Sequence, residues 1–197
     1  METQAIFPIA YFGSVKYFQD LVKFQGIALE YMEHFPKQTF RNRAVILTSQ
    51  GAHILTVPLE KPSGSKTATK DVLVSYQQNW PLVHWKALKT SYASAPYFEH
   101  YASDIEKLLF KKHRFLVDFN LDITRFLMET WQLPTNFDFT ESYEFSYPED
   151  FRSMDYENLA MNGVYSQVQF GNTTFHPAAS SLDLLFCEGP MGRNLII

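Results

Sequence analysis

A short basic segment, Lys37-Gln38-Thr39-Phe40-Arg41-Asn42-Arg43, stands directly before the apolar run Ala44-Val45-Ile46-Leu47. Gln50-Gly51 then provides a turn, and the apolar pattern resumes in His53-Ile54-Leu55-Thr56-Val57-Pro58. Two apolar runs around a glycine-containing turn are typical of a β-hairpin. We therefore predict a hairpin that joins residues near 43 and 57 and has a basic entrance.

The basic entrance is a candidate binding site. Successive side chains of a strand point to opposite faces, so Arg41 and Arg43 would share one face and Asn42 would take the other. Two guanidiniums on one face can hold a carboxylate or phosphate through charge-assisted hydrogen bonds. With Lys37 and Gln38, these residues form a predicted site for a small anionic or sugar-linked molecule. The alternative is a solvated strand end with ion pairs to the acidic surface.

The chain before and after the hairpin indicates an α/β fold. Residues 4–10 and 27–31 are predicted strands, and residues 15–24 between them have helical spacing. This order is a βαβ-like opening, which favours a parallel sheet. A polar stretch over residues 60–70 is a candidate surface loop, and a short strand is expected over residues 72–76.

Three helices are predicted next. The first begins at Trp80 after Asn79, the second opens at Ala95-Pro96, and the third covers residues 114–131. Their apolar residues recur at the spacing of a buried helical face, and short connections favour packed antiparallel neighbours.

The amino-acid composition of the chain changes at residue 133. Residues 133–161 combine seven acidic residues with seven Phe or Tyr residues and a single cation, Arg152. So many aromatic residues predict an irregular arm that docks on the body. A late strand is expected over residues 165–170, and a short helix over residues 181–186 is stopped by Gly189-Pro190.

The predicted fold class is therefore α/β, with a mixed sheet from the N-terminal half, a β-hairpin, a helical cluster and an aromatic-rich C-terminal arm. We predict one domain over residues 1–197. Residues 1–76 hold mainly the βαβ-like opening and hairpin, 77–131 the helical cluster, and 132–197 the docked arm, late strand and short helix.

Composition narrows the classes of function. The formal net charge is −4, which disfavours nucleic acid as a partner because nucleic-acid binding needs a basic face. The single cysteine, Cys187, fits a reducing compartment. The N-terminus has no basic region of a signal peptide, and no apolar run is long enough to cross a membrane. We expect a cytoplasmic protein without membrane insertion.

Several side chains are candidates for chemistry. His84 is the candidate general acid or base, since its ordinary pKa lies near neutrality; the alternative is a partly buried histidine bonded to the backbone. Tyr92, Tyr97 and Tyr101 cluster at a helix–helix turn and are candidates for positioning a sugar, or else core aromatics with solvated hydroxyls.

Two further residues bear on these candidates. Asp183 lies in an apolar helical turn, so pairing it with Arg41 or Arg43 would make the basic cluster structural. Cys187 stands beside Glu188, which disfavours a reactive thiolate. The histidines have no metal-ligand spacing, so no metal site is predicted. The chain has no Walker loop, GxGxxG, GxSxG or CxxC motif, and the sequence identifies no cofactor.

The order of these motifs resembles that of the WbqC-like family, in its branch from Bacteroidetes-type bacteria. The resemblance extends over residues 5–131 and the tail at residues 181–190. It rests on Pro8, Tyr11 to Phe18, Lys37 to Arg43, Ile54 to Pro58, Trp80, His84, Trp85, Tyr92 to Phe98 and Tyr101. The chain departs from the family at Phe12-Gly13, where a Pro-Trp pair is expected.

The resemblance implies an association with bacterial surface-polysaccharide biosynthesis. The enzyme hypothesis is acyl or aminoacyl transfer to a sugar, with the basic cluster holding the ligand and His84 moving a proton. The second hypothesis is a non-catalytic binding or scaffolding protein that works with polysaccharide enzymes. The solvent access and pKa of His84 distinguish the two hypotheses.

Overall fold

The computed structural model of the protein describes residues 4–60, 67–134, 136–169 and 175–197. The predicted opening is confirmed. Strand β1 (Ala5–Pro8) pairs in parallel with β2 (Ile27–Glu30), and helix α1 (Val15–Leu21) connects them. Ser14 begins this helix because its hydroxyl accepts a hydrogen bond from the Tyr17 backbone N–H.

The predicted hairpin is also confirmed. Strands β3 (Arg43–Thr48) and β4 (Gly51–Thr56) are antiparallel, with Arg43 opposite Thr56. Gly51 has a φ of +108°, which a residue with a side chain rarely adopts. In the described residues the hairpin is a sheet of its own, so parallel and antiparallel pairing occur in two small sheets.

The helical cluster contains α2 (Trp80–Tyr92), α3 (Phe98–Phe110) and α4 (Leu116–Thr130). Pro81 lies in the first turn of α2, where its missing N–H leaves no helical bond unmade. Asn79 precedes that helix, but its side chain makes no capping hydrogen bond.

The aromatic arm docks on both sides of the β1–β2 pair. Strand β5 (Asp138–Phe139) adds in parallel to β2, giving the order β1-β2-β5. Further along the arm, Ile6 donates to the Glu149 carbonyl at 2.8 Å and accepts from the Phe151 N–H at 2.9 Å. The Phe151 ring stacks on Phe7 with 4.4 Å between ring centroids.

The chain ends in α5 (Ser181–Glu188) and α6 (Arg193–Ile196). Gly189 terminates α5 with a φ of +54°, and a Cβ there would lie 2.5 Å from Cδ1 of Tyr97. Only glycine fits this position because both the backbone angle and the tyrosine ring exclude a side chain.

Three of the smaller expectations need correction or restriction. Residues 72–76 form no strand; Leu73 and Val74 make isolated bridges to Phe115 and Leu59 because the chain there pairs with the entry to α4 and with the end of the hairpin. Residues 165–169 also form no strand, since the Gln167 side chain takes up the backbone groups of His176. Residue 170 and residues 61–66 of the expected loop lie outside the described part.

Candidate functional site

Arg41 forms a buried ion pair with Glu33 at the entrance of the hairpin. Its Nε donates to Glu33 Oε1 at 2.6 Å and its Nη2 donates to Oε2 at 3.1 Å. Nη2 also donates to the backbone carbonyl of Arg152 at 3.0 Å. The Arg41 side chain is 3% exposed. Burial raises the pKa of Glu33, and the Arg41 charge opposes that rise. Arg41 is therefore the link between the hairpin entrance and the arm.

Arg152 is the second buried cation of this region. Its guanidinium donates to both carboxylate oxygens of Asp150, to Glu30 Oε2 at 3.1 Å and to the backbone carbonyls of Glu144 and Phe145. Hydrogen bonding from Arg152 lowers the pKa of Asp150. These acceptors occupy all five N–H donors of the guanidinium. Arg152 therefore fixes the arm rather than offering charge to a ligand.

Aromatic rings surround the Arg152 guanidinium. Tyr143 and Tyr147 lie over it, with 5.0 and 4.9 Å from the guanidinium carbon to the ring centroids. Phe145, between these two tyrosines in sequence, is 91% exposed, and Tyr143 is 52% exposed. Exposed large aromatic side chains at a concave surface are typical of a binding site.

The two ion pairs stand at the wall of a cavity of about 750 Å³, which we call the arm pocket. Its volume falls within the range of about 300–1,000 Å³ that holds small ligands. Segments 33–41 and 143–158 supply the lining: Glu33, His34, Pro36, Gln38, Thr39, Phe40, Arg41, Tyr143, Phe145, Asp150, Arg152, Ser153, Met154, Asp155, Glu157 and Asn158.

Glu157 contributes a partly buried carboxyl group to this lining. Its Oε1 atom is buried without a hydrogen-bond partner. Burial raises the pKa of Glu157, and Asp155 adds to the rise, whereas Arg43 opposes it. A carboxyl group with a raised pKa in a cavity is a candidate for binding or proton transfer.

The predicted basic segment does not converge on one point. Gln38 and Arg41 line the arm pocket, and Lys37 is exposed beside them. Asn42 is buried and donates to the Val57 carbonyl at 3.0 Å, which fixes the hairpin. Arg43 donates to the Gln38 carbonyl at 3.3 Å and is not among the lining residues.

His84 lies in the core, 4% exposed. Its Nδ1 lies 2.9 Å from the Tyr11 hydroxyl, and its ring packs against Trp80. Burial lowers the pKa of His84 to about 4, although a hydrogen bond to the Thr56 backbone opposes the effect. His84 is not among the residues that line the arm pocket. This burial favours the structural alternative.

None of the three tyrosines lines the arm pocket: Tyr92 and Tyr97 contact Phe186 of α5, and Tyr101 packs against Phe126 of α4. Tyr92 is buried and its hydroxyl accepts from the Leu47 N–H at 3.0 Å. Tyr97 is half-buried over Gly189, and Tyr101 is 6% exposed. Their placement matches the alternative of core aromatics.

The proposed pairing of Asp183 with Arg41 or Arg43 is wrong. Asp183 Oδ2 accepts from the Tyr165 hydroxyl at 2.6 Å and from Gln167 Nε2 at 3.0 Å. Burial raises the pKa of Asp183, and the hydrogen bonds from Tyr165, Tyr92 and Gln167 oppose that rise. The acid belongs to a polar cluster under α5, and Arg41 pairs with Glu33 instead.

The remaining candidates offer little chemistry. Cys187 is buried, and burial raises the pKa of its thiol to about 12, which disfavours a thiolate at neutral pH. Among the described residues, no group of three or more His, Cys, Asp or Glu side chains is arranged to hold a metal ion.

Glu33 and Arg152 were missed by the sequence-based prediction of the site. Arg41 and Arg152 stand 111 residues apart, and no periodicity relates them. One signal was present: Arg152 is the only cation among the acidic residues of the arm, and an isolated cation in acidic surroundings is often buried and paired.

A family model of the WbqC-like protein family matches residues 10–160. The chain belongs to this family. The match includes both segments that line the arm pocket, residues 33–41 and 143–158. The family resemblance in the motifs is thereby confirmed.

One curated relative is the uncharacterized protein Rv1507c of Mycobacterium tuberculosis. It is 31% identical over 84 residues, which cover 42% of this chain and 36% of the relative. This WbqC-like protein thus matches only about a third of that relative's length. No solved structure matches the chain significantly. Within the described residues, no helix has the length and apolar character needed to span a bilayer.

Proposed function

We propose that this WbqC-like protein binds a sugar-linked small molecule of bacterial surface-polysaccharide biosynthesis in the arm pocket. It acts there as a non-catalytic binding or scaffolding protein. The observation that carries this proposal is the arm pocket itself, where exposed aromatic rings stand beside buried, hydrogen-bonded charges. The family resemblance supplies the link to polysaccharide biosynthesis.

The lining suits a sugar for two physical reasons. A sugar has apolar C–H faces that pack on aromatic rings, and Phe145 and Tyr143 offer such rings. It also has hydroxyl groups that need donors and acceptors, which Asn158, Gln38 and the pocket carboxylates provide. Small-ligand sites combine these two kinds of surface.

The non-catalytic role is supported by the burial and the protonation state of His84, the predicted general acid or base. His84 is neutral at physiological pH, and both its ring nitrogens have polar neighbours in the core. Burial and these polar neighbours disfavour proton exchange between His84 and a ligand.

A second candidate is a group-transfer enzyme that moves an acyl or aminoacyl group to a sugar. Glu157 favours this candidate, because its raised pKa and pocket position suit a general base. The test is to supply a sugar together with an acyl thioester and to look for transfer of the acyl group to the sugar. If the protein catalyses this transfer, and Glu157→Gln loses the activity but still binds the sugar, the protein is an enzyme and not a scaffold.

Saturation-transfer NMR with free glucose, glucosamine and glucose 6-phosphate tests the binding proposal. We expect saturation transfer to at least one of these sugars, loss of the signal in Phe145→Ala, and retention in Phe110→Ala. Phe110 is a matched control because it is also exposed, at 42%, but lies at the end of α3 outside the lining. Absence of transfer to all three sugars, or an unchanged signal in Phe145→Ala, contradicts the proposal.

A further inference from the structure

The hairpin has two outer edges, and distant parts of the chain pair with the edge formed by β3. The Ser180 N–H donates to the Val45 carbonyl at 2.8 Å, and the Leu47 N–H donates to the Tyr92 hydroxyl at 3.0 Å. The backbone groups of Val45 and Leu47 therefore point away from β4. These two contacts fix the direction of the backbone groups throughout the hairpin, because outward-pointing residues recur at every second position.

The opposite edge, formed by β4, is open at two positions. In the register of the hairpin, Ile54 lies opposite Val45 and Ala52 lies opposite Leu47. Residues opposite each other in an antiparallel pair direct their backbone groups either toward each other or both away. The N–H and C=O groups of Ala52 and Ile54 therefore point outward. No other residue in the described part of the chain forms a backbone hydrogen bond with them.

The open part of this edge is exposed and lacks the usual protection against pairing. His84 closes one end of the edge through its hydrogen bond to the Thr56 backbone. Residues 52–54 are all exposed, and Ile54 is 49% exposed. Edge strands that avoid pairing commonly carry Lys, Pro or an inward-pointing charge, and residues 51–56 contain no Lys, Arg, Asp, Glu or Pro. The edge can therefore accept an extended backbone as a further strand.

A second copy of β4 fits this edge in one register. Two identical strands pair antiparallel about a two-fold axis, the commonest symmetry of dimers. With the axis through His53, Ala52 exchanges two hydrogen bonds with the partner subunit's Ile54, and Ile54 exchanges two with the partner subunit's Ala52. All four bonds use outward groups. An axis through Ile54 would instead require the Thr56 backbone, which already bonds His84.

The side chains suit the same register. Ala52 and Ile54 lie on one face of the strand, because side chains alternate. Each hydrogen-bonded pair therefore sets a small side chain beside a larger apolar one, and the exposed Ile54 becomes covered. We propose that two copies of this chain associate through β4, in an antiparallel pair centred on His53, and so join their hairpins into a four-stranded sheet. This association does not depend on sugar binding in the arm pocket.

Sedimentation velocity at protein concentrations up to about 1 mM tests the association. We expect a monomer–dimer equilibrium with a dissociation constant weaker than about 1 μM, because the shared edge is short. Ile54→Lys places a charge on the edge and should weaken the dimer at least about tenfold. Ala52→Pro removes an outward N–H that β3 does not use, and it should act in the same direction.

Val164→Lys is the matched control, since Val164 is also exposed, at 72%, and lies outside the hairpin. This variant should dimerise like the unmutated protein. A monomer at every concentration overturns the proposal and leaves the edge to a strand of another protein. A dimer that Ile54→Lys does not weaken also overturns it, because the two copies then meet at another surface.

Cross-linking tests the register separately. His53→Cys places two thiols at the axis, where the Cα atoms of a non-hydrogen-bonded pair lie about 4.5 Å apart, within the reach of a disulfide. Ile54→Cys places them diagonally, about 8 Å apart and beyond that reach. On mild oxidation we expect a covalent dimer of His53→Cys only. Ile54→Cys and the unmutated protein, whose Cys187 is buried, should stay uncross-linked. Faster cross-linking of Ile54→Cys than of His53→Cys overturns the register.

Discussion

At the scale of single residues, His84 shows how burial changes the role of a histidine. The imidazole is enclosed by Tyr11 and Trp80, and its pKa is lowered to about 4. Protonation therefore costs more in the folded protein than in the unfolded chain, where the pKa lies near 6.5. The folded state binds fewer protons between these two values.

This shift predicts how stability depends on pH. The contribution of His84 is fully present above about pH 6.5 and is lost as the pH falls toward 4. The loss is on the order of 3 kcal/mol of the free energy of unfolding. Urea unfolding at a series of pH values measures it. His84→Gln should flatten the dependence in this window, and His100→Gln, at an exposed position on α3, should not. An ordinary pKa for His84 by NMR would contradict the burial.

The structure predicts that replacing Arg41 lowers the stability of the fold, whereas the sequence suggested that it would weaken ligand binding. Arg41→Ala leaves Glu33 buried without its cation, and we expect a loss of about 3–5 kcal/mol in the free energy of unfolding. The exposed pair of Lys107 and Asp104 is the control, because Lys107→Ala should cost less than about 1 kcal/mol. Chemical denaturation of both variants measures the difference. Similar small losses in the two would show that the Arg41 pair does not hold the fold.

At the scale of elements, Arg152 is one of the anchors of the aromatic arm. The Arg152 guanidinium donates hydrogen bonds to two backbone carbonyls of the arm, to the Asp150 carboxylate and to the buried Glu30 of β2. Arg152→Lys keeps the charge but cannot reproduce this fork of five donors. We expect backbone amides of residues 141–151 to exchange with deuterium at least about tenfold faster.

Arg193→Lys provides the matched comparison for that exchange experiment. Arg193 also donates to backbone carbonyls, those of Trp131 and Gln132, at another place in the fold. Its replacement should leave the exchange of residues 141–151 unchanged. Protection of the arm in Arg152→Lys equal to that of the unmutated protein would rule out the anchoring role.

Some of the helices and strands could be predicted from the sequence, and others could not. The βαβ-like opening, the hairpin and the three helices follow from local periodicity and turn residues, so they were predictable. Strand β5 has two residues in an acidic segment, and its pairing with β2 depends on a contact about 110 residues away. Residues 72–76 have a strand pattern, but their neighbours are the hairpin end and the entry to α4, which no local pattern reveals.

At the scale of the whole molecule, the arm pocket exists because distant segments meet. The sequence indicated the importance of residues 37–43, and four of them, Gln38, Thr39, Phe40 and Arg41, do line the pocket. The role of Arg41 could not be predicted from the sequence, because its guanidinium meets the Glu33 carboxylate and the Arg152 carbonyl only in the folded chain. The sign of charge in the pocket is thus a property of tertiary structure.

The location of sugar binding tests this account most directly. We propose ¹H–¹⁵N correlation spectra of the protein during a titration with glucosamine. The account predicts that shifted backbone amides cluster in residues 33–41 and 143–158, with the largest changes near Phe145 and Glu157. Shifts centred on α2 around His84, or on Tyr92, Tyr97 and Tyr101, would contradict it and return the site to the residues that the sequence alone favoured.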